Sequence, residues 1–121
     1  MEMTYEQRQD YNKLTSSQKE DFEYNERKHP NWTFTQIMAK LALDEKGGEF
    51  IDRGGNNVNP TEPDTWLIIL EGVKATLSKF QSIGRSIFMA IDSAIVSIRG
   101  LIVAGIKRVG DVIDNLFDKL F

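Results

Sequence analysis

The chain has no cysteine among its 121 residues. Disulfides, thiolate metal sites, cysteine nucleophiles and thiol redox chemistry are therefore excluded together. It has one histidine, His29, which leaves no imidazole cluster for a metal ion, and no metal or cofactor is expected. It also lacks an excess of positive charge: 15 Lys or Arg stand against 18 Asp or Glu, a net charge of -3. A general nucleic-acid binder would carry a basic face, so no nucleic-acid partner is expected. Met1 to Asp10 is polar and acidic, without the apolar run of a secretory signal. Finally, from Asp64 to Phe121 there is no proline, so nothing in that half forbids continuous helix.

Catalytic constellations are missing as well. Arg53-Gly54-Gly55 has neither the lysine nor the preceding strand of a phosphate loop. Asp111, Asp114 and Asp118 share a helical face at steps of three and four, and this reads as a solvated acidic face. His29, within Lys28-His29-Pro30-Asn31-Trp32, reads as a turn or cap residue. The expectation is a non-enzyme with no small-molecule substrate.

What is present is helical patterning. Thr4 with Gln7 can close a capping box and open a short helix near Tyr5 to Lys13. Ser17 with Glu20 repeats the device, and the helix carrying Phe22 and Tyr24 should stop before His29-Pro30, because a residue preceding proline avoids the α region. The third start is the best written. Thr33 fits an N-cap with Gln36 at the third helical position, Trp32 and Ile37 can staple around it, and Phe34, Ile37, Met38, Leu41 and Ala42 follow at helical spacing to about residue 46.

Residues 47 to 63, GGEFIDRGGNNVNPTEP, read as a linker, with Phe50, Ile51 and Val58 as its only apolar anchors. The fold expected is all-α: a three-helix head over 1–46, the linker, and a long amphipathic arm over 64–121. The arm's stripe runs through Trp66, Leu70, Val73, Leu77, Phe80, Gly84, Ile87, Ile91, Ile95, Ile98, Ile102, Ile106, Val109, Ile113, Leu116 and Leu120 in steps of three and four. Unbroken, it would span roughly 85 Å. The alternative is an antiparallel hairpin turning near Arg99-Gly100 or Gly84.

Opposite the apolar stripe lies a second one of small residues, Ser86, Ala90, Ser93, Ser97, Gly100 and Ala104. A solvated helix would carry Lys and Glu there, and small residues let another backbone approach closely. The contact surface is therefore read as Trp66, Leu70, Leu77, Phe80, Ile87, Ile91, Ile98, Ile102 and Phe117 on the apolar side, with Ser93, Ser97 and Gly100 on the small side. A homo-oligomer or a protein partner would cover it. A membrane is the other occupant considered: Ile87 to Ile106 is about the twenty residues a span needs. Asp92 and Arg99 within it each cost about 2.5–3.5 kcal/mol near the bilayer centre, so insertion would need several copies. The sequence thus sets a structural assembly protein beside a holin-like or ejected channel-forming one.

Tyr11, Leu14, Gln18, Lys19, Tyr24, His29, Pro30, Trp32, Ile37 and Met38 form a pattern that resembles small helical virion-associated proteins of crAss-like bacteriophages. The resemblance covers the N-terminal third. It implies a structural or packaged virion protein whose head docks on another component, in the virion or the host cytoplasm, and it supplies no catalytic residue.

Overall fold

The computed structural model describes residues 1–48 and 62–120. They form six helices: α1 Tyr5–Asn12, α2 Ser16–Lys28, α3 Phe34–Gly48, α4 Pro63–Leu77, α5 Arg85–Val103 and α6 Asp111–Leu120. The all-α class follows from the sequence. Most of the expected linker, with Phe50, Ile51 and Val58, lies outside the described residues.

The head forms where its caps are written. Thr4 and Gln7 make the reciprocal capping box of α1. At α3, Thr33 N–H donates to Gln36 Oε1 at 2.7 Å and Gln36 N–H to Thr33 Oγ1 at 3.2 Å. The start of α2 differs from the expectation. Thr15 with Gln18, not Ser17 with Glu20, makes the box, because Thr15 has the extended backbone an N-cap needs and the buried Leu14 anchors the chain just before it. His29 ends α2, and its ring stacks on Trp32 at 3.6 Å between centroids, which is the turn role read from the sequence.

The arm is not one rod. It folds into three helices, with breaks at 78–84 and 104–110. The first break falls at the expected Gly84 hinge, and Gly84 becomes the N-cap of α5. Arg99-Gly100, the other hinge considered, lies inside α5. The second break is made by Gly105, the sole positive-φ residue among those described, at φ 77. Gly105 N–H donates to the Ile102 carbonyl and Ile106 N–H to the Leu101 carbonyl, both at 3.0 Å. Those two bonds define the Schellman stop, which closes a helix on a left-handed glycine.

Tertiary contacts to α1 hold the first break, where Gln81 Nε2 also donates to Gln9 Oε1 at 2.8 Å. Asp10 on α1 is fully buried, and its carboxylate accepts from the N–H groups of Gln81 and Ser82, at 3.2 and 2.7 Å, and from the Ser82 hydroxyl. These donors sit in a non-helical segment that would otherwise leave backbone N–H groups without partners. Burial works against ionisation of Asp10. The hydrogen bonds from Ser82, Gln81 and Lys13 outweigh it and hold the carboxyl below its ordinary value.

One apolar cluster runs through the molecule, from Leu14, Phe22, Phe34, Ile37 and Met38 to Ile69, Leu70, Val73, Leu77, Ile87, Ile91 and Ile98, and on to Ile113 and Leu116. The head and the arm therefore share a core. α4 packs on both α3 and α5, α6 packs on α5, and α2 on α3. Lys74 pairs with Asp92 at 2.5 Å and Glu71 with Arg99 at 2.9 Å, so numbering rises along α4 as it falls along α5 and the two helices are antiparallel.

Candidate interaction surface on α5

The apolar stripe is real, but most of it faces this chain's own core. Of the residues read as a contact surface, Leu70, Leu77, Ile87, Ile91 and Ile98 are buried, so they are core residues and not a docking face. The sequence shows that a helical face must be covered, and it does not say by what. Trp66, Phe80 and Ile102 pack half-buried at the core's edge. Ser93, Ser97 and Gly100 are exposed, and the Phe117 side chain lies outside the described residues.

The small-residue stripe divides between two environments. Along one edge, Ala90, Ser93, Ala94 and Ser97 border an open groove whose other wall is Asn115, Leu116 and Lys119 of α6. There the close approach expected of small residues is used within the chain, with Ile113 and Leu116 buried. On the opposite flank of α5, Asp92 and Arg99 reach across to α4. The outward face between these flanks holds Met89 at 64%, Val96 at 66% and Val103 at 88% exposure. Sequence reasoning missed these three. The signal available was a seven-residue step between them, on the side away from the isoleucines.

α5 is the one helix among the described residues that is long and apolar enough to cross a membrane, and 28% of its apolar window is buried. A core helix of that composition would be mostly covered. Gly100 adds a second oddity. It sits in regular helix, and a Cβ there would meet nothing within 4 Å, so the isolated fold gives no reason for a residue that weakens a helix interior. Gly100→Ala is accordingly expected to stabilise the monomer by about 0.5–1 kcal/mol, measurable by urea unfolding.

The open grooves elsewhere bring no chemistry together. One lies between α3 and α5, lined by Thr33, Thr35, Gln36 and Ser86, and another lies beside Glu62, Asp64 and Lys107. Among the described residues no three His, Cys, Asp or Glu side chains gather as a metal site. What the fold and surface define is a small helical protein in which, among the described residues, α5 presents apolar side chains outward. No protein-family model, curated protein or solved structure matches the chain.

Proposed function

We propose that this chain is a non-enzymatic helical assembly protein, a structural component such as a virion part, that works by burying the outward face of α5 against another surface. The supporting observation is the exposure of Met89, Val96 and Val103 on the outward side of α5, beside Asp92 and Arg99. Its two interior charges are drawn aside to Lys74 and Glu71. Exposed apolar surface rimmed by polar residues marks interaction sites.

A second reading, a membrane-active oligomer, has its own support. α5 has the length and composition of a span, and pairing Asp92 and Arg99 with α4 would lower the cost of taking these charges into lipid. One probe tests the common element. An environment-sensitive fluorophore on Val96→Cys is expected to leave water either as protein concentration rises or when vesicles are added. A label that stays water-exposed in both titrations overturns the docking role of this face.

A further inference from the structure

The outward face of α5 carries more pattern than exposure alone. Met89, Ser93, Val96, Gly100 and Val103 follow one another in steps of four, three, four and three, and all five are exposed. That is the spacing of a two-helix seam, and large and small residues alternate along it. We propose that the occupant of this face is a second copy of the chain, docked through α5 in antiparallel orientation. The proposal rests on the docking role given above and names the partner.

The register follows from shape. In the antiparallel arrangement Met89 of one copy lies opposite Gly100 of the other, and Ser93 opposite Val96, so each large side chain meets a small one. The same register sets Asp92 of each copy about two residues, roughly 3 Å of rise, from the level of Arg99 of the other, within reach of a guanidinium. Both side chains are about half exposed while paired to α4, and a carboxylate with two oxygens and a guanidinium with five donors can each take a second partner. A two-fold axis therefore joins Lys74, Asp92, Arg99 and Glu71 from both copies into one network of alternating sign.

Parallel pairing loses both advantages. Met89 would meet Met89 and Gly100 would meet Gly100. The positions flanking the seam opposite Asp92 and Arg99 would be Ala90, Ser97 and Ala104, which carry no charge. Charge complementarity thus selects a copy of this helix running the other way. It also gives Gly100 a purpose, since close approach of a Met89 side chain needs the absent Cβ. A seam of four turns lies at or below the low end of stable interfaces, about 1,200 Å² in total, so the dimer is weak and depends on concentration.

The test begins with sedimentation of the full chain over a concentration series. A monomer–dimer equilibrium is expected, with Val96→Lys raising the dissociation constant at least tenfold while the helical circular dichroism is unchanged. The chain has no cysteine, so the double substitution Met89→Cys with Gly100→Cys provides a second measurement, in which the side chain shortened at position 89 makes room for the Cβ added at position 100. Eleven residues of helix, about 16 Å, keep the two introduced thiols apart within a chain. Oxidation should give a closed covalent dimer in which position 89 of one copy is joined to position 100 of the other, identified by peptide mapping. A monomer at every concentration, a dimer indifferent to Val96→Lys, or linkage of position 89 to position 89 each overturns the proposal. If the Val96→Cys label leaves water only with vesicles while the protein stays monomeric, the bilayer is the occupant: the dimer fails and the docking role stands. If the label never leaves water, both fail.

Discussion

Ile98→Ala should cost about 2–5 kcal/mol of folding stability, whereas Val96→Ala, two residues away on the same helix, should stay within about 0.5 kcal/mol. Ile98 is completely buried and Val96 is 66% exposed. Truncating Ile98 removes methylene groups from the layer where α5 meets α4 and leaves a cavity the backbone closes only in part. A domain of this size has a total stability of about 5–15 kcal/mol, so Ile98→Ala removes a large share of it and shifts the urea midpoint measurably. Urea midpoints of the two variants at low protein concentration, where any self-association is absent, check both numbers. Equal losses would mean that α5 is not seated as described, with one face on α4 and the other in water.

The second large effect is expected at Asp10. Asp10→Ala removes the acceptor for the Gln81 and Ser82 N–H groups and the Ser82 hydroxyl. Each buried donor left unmade costs about 1–3 kcal/mol. Asp10 is buried but Gln81 is exposed and Ser82 half-buried, so solvent can take over part of the lost bonding and the total falls near the lower end, about 2–3 kcal/mol. The pH dependence follows from the direction of the shift. The Asp10 carboxyl is held below its ordinary value in the folded state, so the stability it confers is complete above the unfolded value of about 3.9 and is lost as pH falls through the lower folded value. Urea unfolding from pH 7 down to pH 2 should show wild type losing stability in acid more steeply than Asp10→Asn, with the gap between them closing at the acid end. Parallel curves would remove Asp10 as a source of the acid sensitivity.

The particulars of the fold are unevenly legible. The caps at Thr4 and Thr33 can be read because a capping box is local, four residues long, and needs nothing from the rest of the chain. Ser17 and Thr15 both fit that short pattern, and the choice between them depends on where Leu14 finds its core. The isoleucine face of α5 is legible from its period, yet the surface that remains open is Met89, Val96 and Val103 and not the isoleucines. Apolar residues at helical spacing announce burial and are silent about whether the cover comes from the same chain.

The sequence by itself determined an all-helical chain without thiol chemistry, the start of each head helix to within two residues, and the sides of the second half that prefer to leave water. The hinges it points to are Gly84 and Arg99-Gly100, and it does not single out Gly105 from the other glycines of the arm, although glycine is the residue that enters the left-handed conformation without strain. Only the tertiary structure decided that residues 64–121 are three helices and not a rod. At the first break Asp10 joins Gln81 and Ser82, 71 and 72 residues further along, and no local propensity encodes that contact. With that carboxylate satisfying the N–H groups of the turn, α5 lies antiparallel on α4, the two helices bury aliphatic faces in the shared core, and among the described residues the outward side of α5 is left uncovered.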